Sequence, residues 1–300
     1  SELIVDADGS FEILLAPARP DGYTGNFMCT QGVKTRRNRA GQDVSREYVA
    51  EFVMLRELFY DWENEDLLEL FIYRNDRLGE PMPVYTPELA ASQIEDAGRF
   101  TRNQVSFWNE FYAVTLEAYG GKDGAPSRMM PRNGFNEANA ASLATAGGMT
   151  TNIYTGGIYE LGKDEVLIVE LHQPVEPEYI GFHLGNLWGE SFDFANYQSS
   201  LNAFQAHRDP DNVLRYVIAH RDPGVANWLD TTGHAEGYMA VRWAYSRKPE
   251  DNWPWATAKR VPFAEIDRHL PPATARVTPG QRRAAIAVRQ EHVQRRYRQH

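Results

Sequence analysis

A repeated strand–loop–strand plan constrains the fold of this chain more than any other feature of its sequence. Residues 8–27 open with an Asp-Gly turn, continue through an apolar run and close on Asn26 followed by an aromatic residue. Residues 211–228 open with Asp-Asn, continue through an apolar run and close on Asn227, again followed by an aromatic residue. Self-similarity of this kind indicates one supersecondary unit used twice. The first inference is therefore a duplicated β architecture.

Two arginines extend the duplicated plan, because each falls in a long β-rich segment after the loop. Arg56 lies in the first copy and Arg242 in the second, and we expect their strands to be equivalent. Strand alternation places Arg242 on one face with Tyr238 and Ala240. A guanidinium that is buried without a partner is costly, so each requires an acidic residue of the chain or an anionic ligand. A structural ion pair is the favoured alternative, and both arginines remain candidate ligand-binding residues.

The second copy resembles the bacterial family catalogued as domain of unknown function 1214. The resemblance depends on the Asp-Pro-Gly turn at 222–224, the Asn-Trp-Leu triplet at 227–229 and the strand that carries Arg242. Asp230 stands where the family has a proline after the triplet. The resemblance covers residues from about 150 to 263. It implies a jelly-roll-like sandwich of antiparallel sheets, and it implies no activity.

The order of predicted elements divides the chain into four regions. Residues 1–80 are interpreted as an N-terminal β unit, and residues 81–149 as a helical insertion with a loop. Residues 150–265 form the predicted C-terminal β-sandwich unit, and residues 266–300 a basic C-terminal helix. The predicted fold class is therefore mainly β. It is a jelly-roll-like antiparallel β-sandwich with an internal duplication, a helical insertion and a C-terminal helix.

Capping residues mark the start of both predicted helices. Thr86 precedes a proline and a glutamate, which is typical of a helix N-terminus, and apolar residues then recur at helical spacing to residue 119. Gly98 is predicted to divide this stretch into two helices. Thr278 and Gln281 have the spacing of a capping box. The arginine-rich helix that follows has little apolar surface, so we expect another element or subunit to hold it in place.

Two segments alternate in a way that predicts sheets packed on one side. In residues 165–172, Leu167, Val169 and Leu171 share one apolar face, and the other face is mixed. Residues 179–184 show the same pattern. The mixed faces are expected to be open to solvent, a cavity or a partner.

Composition restricts the partners and the compartment. A formal charge of -10 and a pI near 5.3 disfavour nonspecific nucleic-acid binding. The single cysteine, Cys29, excludes an internal disulfide. No apolar run is long enough to span a bilayer. We expect a soluble, cytoplasmic bacterial protein without nucleic-acid or membrane partners, with a homo-oligomer among the expected assemblies. The first residue, Ser1, suggests a processed or excised N-terminus.

The loop from His220 to His234 is the predicted catalytic site. It contains two imidazoles and the carboxylates of Asp222 and Asp230 between the ends of two predicted strands. One interpretation is acid–base chemistry, with a carboxylate orienting a histidine. A metal held by imidazole and carboxylate is a second, although the spacing matches no known motif, so neither a metal nor a cofactor is assigned. The third is structural, because such carboxylates commonly bind turn backbone. Acid–base chemistry predicts that this loop borders the principal pocket and that one histidine reaches a carboxylate.

Residues 185–200 form a second candidate site, because aromatic residues alternate there with acids and amides. Such a mixture suits a polyol, a sugar or an amphipathic small molecule. The alternative is that the aromatic residues belong to the core and the acids are solvated. The candidate substrate-binding residues of this segment and of the neighbouring loop are Trp188, Glu190, Asn196, Tyr197, Asn227 and Trp228.

Three functional hypotheses follow from these sites. The first is a cofactor-independent enzyme, of lyase, isomerase or hydrolase type, acting on a small, partly apolar organic molecule by histidine–carboxylate chemistry. The second is a non-catalytic sandwich that binds a small molecule or carbohydrate, and the third is a structural assembly module. A closed cavity with a histidine beside a carboxylate favours the enzyme. An aromatic groove without that pair favours binding.

Overall fold

The computed structural model describes residues 3–37, 42–50, 52–82, 84–119, 130–138 and 151–298. Within these ranges the chain is mainly β, with 12 strands and a C-terminal helix. Contacts between residues divide it into two compact units, one ending at Leu58 and one beginning at Phe59. The mainly β fold class with a helical insertion and a C-terminal helix is thereby confirmed.

The N-terminal unit contains two small sheets. Strands β1 (Ile13–Ala16) and β2 (Asn26–Cys29) pair in parallel. Strands β3 (Gln31–Arg37) and β4 (Asp43–Val49) form an antiparallel pair. The apolar run predicted as the first strand is therefore a strand.

Arg56 does not lie in a strand, so its predicted equivalence with Arg242 is wrong. Residues 52–58 and 67–74 have the β-rich composition of strands, but neither segment belongs to a sheet. Composition favours a strand only where a neighbouring strand supplies the ladder of hydrogen bonds. The Arg56 Nε lies 3.3 Å from the sulfur of Met54, two residues earlier.

The two copies of the repeated unit share the same hydrogen bonds at their asparagine. In the first copy the Asn26 amide donates to the carbonyls of Ile4, at 2.8 Å, and Glu12, at 2.9 Å. Its Oδ1 accepts from the Ile4 N–H at 2.8 Å. The N–H of Thr30 then bonds to the Ala16 carbonyl at 3.0 Å, beyond the end of the parallel pair.

The second copy repeats each of these bonds. The Asn227 amide donates to the carbonyls of His207, at 2.6 Å, and Arg215, at 2.9 Å, and its Oδ1 accepts from the His207 N–H at 2.8 Å. The Thr231 N–H bonds to the Ala219 carbonyl at 3.5 Å. The repeated unit is thus a parallel strand pair closed by one asparagine.

Two four-stranded sheets form the sandwich of the second unit. The front sheet has the order β5, β11, β7, β8 and the back sheet the order β10, β9, β6, β12, with every pair antiparallel except β9 and β10. Front-sheet strands are β5 (Asn152–Glu160), β7 (Tyr179–Gly185), β8 (Ser200–Asn202) and β11 (Glu236–Ala244). Back-sheet strands are β6 (Glu165–His172), β9 (Leu214–Ala219), β10 (Trp228–Asp230) and β12 (Trp255–Pro262).

Large apolar side chains fill the space between the sheets. Phe182 of the front sheet meets Tyr216 of the back sheet edge to face, with ring centroids 5.1 Å apart. Trp243 and Leu167 are fully buried in the same cluster. Burial of this kind is the main stabilising term of a sandwich.

The outer face of the back sheet is covered. Val166, Ile168 and Val217 point away from the central core and pack in a second buried cluster with Ile266 and Leu270. Ile266 begins the short helix α2 (Ile266–His269), and Leu270 follows its last residue. The apolar residues on the mixed face predicted for residues 165–172 are therefore buried under a later segment of the chain.

One long helix forms the insertion. It spans Pro87–Tyr119 without a break at Gly98, so the predicted division into two helices is wrong. A glycine inside a helix costs only about 1 kcal/mol, which the strong helix formers around it offset. The Oγ1 of Thr86 accepts from the Leu89 N–H at 3.2 Å, as a capping residue does. We label this helix α1.

The C-terminal helix α3 spans Pro279–Arg298 and begins with the predicted capping box. The Thr278 N–H donates to Gln281 Oε1 at 2.8 Å, and the Gln281 N–H donates to Thr278 Oγ1 at 3.3 Å. Short 3₁₀ helices occur at Asn75–Arg77 and Phe263–Glu265. No helix in the described ranges is long and apolar enough to cross a membrane.

Candidate functional site

A cavity of about 330 Å³ lies on the outer face of the front sheet. We call it the outer cavity, and its border includes Tyr154, Tyr179, His183, Tyr238 and Arg242. These residues come from β5, β7 and β11, which are neighbours in the sheet. The predicted open face of residues 179–184 is thus the wall of a cavity.

Strand register brings Arg242 between two tyrosines. Arg242 pairs with Tyr154 on one side and with Gly181 on the other. A Cβ added to Gly181 would lie 2.8 Å from the ring of Tyr179, so that ring occupies the space a side chain would take. The absence of a side chain at Gly181 therefore admits a second aromatic wall.

A small residue, Ala240, lies at the cavity in the next row of the front sheet. Ala240 pairs with Gly156 of β5 and with His183 of β7. Ala240 borders the cavity and extends little above the sheet, whereas a Cβ added to Gly156 would lie 3.7 Å from the Met130 side chain. The small side chain of Ala240 leaves the space that the cavity occupies in this row.

Arg242 has no acidic partner in the described part of the chain. Its guanidinium lies 5.0 Å from the centre of the Tyr154 ring, a cation–π distance. No carboxylate of the described residues lies within 4.0 Å of it, and no acidic residue lines the cavity. Arg215, by contrast, pairs with three carboxylates at 2.7 to 2.9 Å.

His183 is held neutral in this cavity. Burial lowers its pKa to about 4, and the positive charge of Arg242 contributes to the same shift. Its ring lies 5.9 Å from that of Tyr238 at a steep angle. Of His172, His183, His220 and His234, it alone lines the outer cavity.

The segment that follows residue 58 supplies another aromatic wall. Trp62 lines the cavity, and its backbone neighbours are fixed by Asn202 of β8. The Asn202 amide donates to the carbonyls of Phe59, at 3.0 Å, and Tyr60, at 2.8 Å. The Trp62 ring also stacks on His292 of α3, with centroids 4.9 Å apart.

The predicted catalytic loop does not border the outer cavity. His220 bonds to the Thr231 hydroxyl at 2.7 Å and to the Leu161 carbonyl at 3.1 Å. His234 stacks on Phe192, with ring centroids 4.4 Å apart. No carboxylate of the described residues lies within hydrogen-bond distance of either imidazole, so the predicted histidine–carboxylate hydrogen bond is not formed.

The carboxylates of this loop bind backbone and a helix. Asp222 accepts from the Gly224 N–H at 2.8 Å and pairs with Arg282 of α3 at 2.9 Å. Asp230 accepts from the Thr232 N–H at 2.8 Å, and burial raises its pKa. Both carboxylates thus have the structural role that turn-forming aspartates commonly take.

Asn227 and Trp228 are also structural in this geometry. Asn227 closes the parallel strand pair described above and is almost fully buried. The indole N–H of Trp228 donates to the Ala219 carbonyl at 3.0 Å. Neither side chain reaches the outer cavity.

Residues 185–200 contribute little to the cavity. Trp188 and Tyr197 are exposed, and neither lines it. Glu190 and Asn196 bind within the segment, to an asparagine at 2.6 Å and to an aspartate at 2.8 Å respectively. The segment reaches the cavity through Gly189 and its last residue.

Of the predicted binding residues, Arg242 alone lines the cavity. Tyr154, Tyr179, His183 and Trp62 were not predicted as site residues. Alternation within residues 179–184 had placed two of them on the mixed face of a strand, and that pattern was the available signal. The described ranges contain no group of three metal-ligating side chains.

Comparisons with known proteins identify a similar fold. No family model matches the chain, and no curated protein sequence matches it. The crystal structure of an uncharacterised protein from Burkholderia cenocepacia has a TM-score of 0.63 and 21% identity, over 87% of this chain and 62% of that one. This chain therefore spans less than two thirds of that protein, and the similarity concerns the fold alone. A structure from Vibrio parahaemolyticus has 13% identity over 59% of this chain and 47% of that one, with a TM-score of 0.30, which supports no argument.

Proposed function

We propose that this protein binds a small, partly apolar organic molecule in the outer cavity. One observation carries the proposal: tyrosines stand around an open floor of small residues, and a single cation faces the same space. Concave sites with aromatic walls and few polar groups are the usual form of small-molecule sites. The cavity volume of about 330 Å³ falls within the range of such sites.

Binding without chemistry is favoured over acid–base catalysis. A catalytic imidazole is normally oriented by a carboxylate, and no acidic side chain in the described chain lines this cavity. With a pKa of about 4, His183 is also a weak base at neutral pH. The second candidate is acid–base chemistry by His183, which its position against the cavity supports.

Filling the cavity tests the proposal. Ala240→Phe places a large ring on the floor and should weaken ligand binding at least tenfold, because the ring takes the place of the ligand. Thr257→Phe is the matched control, since Thr257 is exposed on β12 of the back sheet. Binding is measured by calorimetry with small aromatic and aliphatic molecules. Equal affinities in both variants would place the ligand elsewhere, and turnover lost in His183→Gln would favour the second candidate.

The family assignment remains a proposal beside this one. We propose that residues from about 150 to 263 form a jelly-roll-like domain that belongs to the family catalogued as domain of unknown function 1214. Cytoplasmic location and homo-oligomer formation are proposed with it, on the composition arguments given above.

A further inference from the structure

We infer that the ligand of the outer cavity is an aromatic carboxylate and that Arg242 binds its carboxylate group. This inference rests on the proposed function and names the class of molecule that is bound. Three features of the cavity support it. Arg242 has no acidic partner among the described residues, aromatic rings stand beside it, and its positive charge acts on His183.

Arg242 differs from other arginines of the same unit. Arg215 binds three carboxylates, and Arg282 binds Asp222 at 2.9 Å. Arg289, which is almost fully buried, donates to the Phe194 carbonyl at 3.0 Å. Arg242 is also partly buried, but its one described contact is the face of a tyrosine ring. A guanidinium withdrawn from water is stabilised by an anion, and a carboxylate matches its planar pair of donors.

The rings beside Arg242 suit an aromatic molecule. Tyr154 stands on one side of the guanidinium and Tyr179 on the other. Tyr238 and Trp62 line the same space. Aromatic rings prefer offset or edge-to-face contacts with one another, so a flat ring gains contacts here that an alkyl chain gains less well.

Electrostatics in the cavity favour an anion. Arg242 contributes, after burial, to the low pKa of the His183 imidazole, and it offsets part of the rise that burial causes in the pKa of Tyr179. The positive charge of Arg242 therefore acts across the cavity, because no carboxylate of the described residues lies beside it to neutralise it. A carboxylate that enters meets a positive potential and a neutral imidazole able to donate or accept a hydrogen bond.

The experiment compares acids with their uncharged amides. Benzoate, cinnamate and naphthoate, each with its primary amide, are titrated into the wild-type protein, Arg242→Gln and Arg242→Lys by calorimetry. Wild-type protein should bind the acids at least about tenfold more tightly than the amides, as a charge-assisted hydrogen bond provides. Arg242→Gln should remove this preference while amide binding stays within about twofold. Arg242→Lys should keep part of it, because the charge remains and the planar pair of donors does not.

Controls separate this inference from the proposal beneath it. Arg260→Gln removes a charge from an arginine whose side chain is 52% exposed on the back sheet, and it should leave the acid preference intact. Unchanged melting temperature of Arg242→Gln shows that the fold is kept. Equal affinity of wild-type protein for acids and amides, both lost in Ala240→Phe, would overturn this inference and keep the proposed function. Acid preference that survives Arg242→Gln would overturn the assignment of Arg242. Binding of neither series to the wild-type protein would overturn this inference alone, because the proposed function is tested with aliphatic molecules as well.

Discussion

The two sheets of the sandwich have different outer faces. On the back sheet, Val166 and Ile168 are buried under Ile266, which lies far along the chain. On the front sheet, the corresponding outward positions include Gly181 and Ala240, and both border the outer cavity. Strand alternation produces an outward face in both sheets, so alternation does not decide which one is closed. Side-chain volume and the presence of a later covering segment decide it.

The largest expected difference between the faces is in stability. Ile168→Ala should lower the free energy of unfolding by about 3 kcal/mol, because it opens a void in a closed apolar cluster. Arg242→Gln should change it by less than about 1 kcal/mol, since Arg242 has no ion pair within the described residues to lose. Urea unfolding of both variants measures the two values. Similar losses in both would mean that the front face is packed as tightly as the back.

Acid should lower the free energy of unfolding partly through His183, which lines the outer cavity of the front sheet. The pKa of His183 is about 4 in the folded protein, below the ordinary value of 6.5, so the unfolded chain takes up the proton first. Stability from this group is therefore present above pH 6.5 and is lost as the pH falls toward 4, by up to about 3 kcal/mol. His292, stacked on Trp62, has a similarly lowered pKa and adds to the loss.

His183→Gln tests this assignment through the pH dependence of urea unfolding. The free energy of unfolding of the variant should fall less between pH 6.5 and 4 than that of the wild type. The fall that remains should include the contribution of His292. His269→Gln is the control, because that histidine lies on α2 of the back face and outside the cavity. An undiminished decline in His183→Gln would show that the imidazole is solvated.

The smallest expected effect concerns the loop first predicted as catalytic. Asp222→Asn should lower the free energy of unfolding by about 1 kcal/mol, because it weakens a charged contact with Arg282. Affinity for the cavity ligand should stay within about twofold, since the loop does not border the cavity. A loss of ligand binding larger than tenfold in a stable Asp222→Asn protein would restore a functional role to this loop.

Local signals predicted the parts of the fold that depend on neighbours in sequence. The capping box at Thr278, the inward face of residues 167–171 and the asparagine of each repeated unit all act within their own segment or strand pair. Arg56 shows the limit of such signals. Its segment has the composition of a strand, but composition does not supply a partner strand.

The candidate site was harder to predict, because it depends on register. Alternation placed Arg242 with Tyr238 and Ala240, and the structure confirms that grouping. Tyr154 joins them only through the pairing of β5 with β11, which places it beside Arg242, a residue 88 positions later in the chain. Clustered polar residues drew attention to the loop at 220–234 instead, where they serve the turn itself. Polar density in a loop is a weak guide when turn formation requires the same residue types.

The contact between Arg282 and the Asp222 turn has a consequence for how the protein matures on the ribosome. The guanidinium also donates to the carbonyls of Val225, at 2.6 Å, and Ala226, at 3.1 Å. These buried acceptors follow β9, but their donor belongs to α3, about 56 residues later in synthesis. The Ala226 carbonyl also accepts from Gln198 at 3.1 Å, but until α3 emerges the Val225 carbonyl lacks the Arg282 donor. The nascent sandwich should therefore remain loose at this end, and a pause in translation before α3 would prolong its exposure to chaperones and proteases.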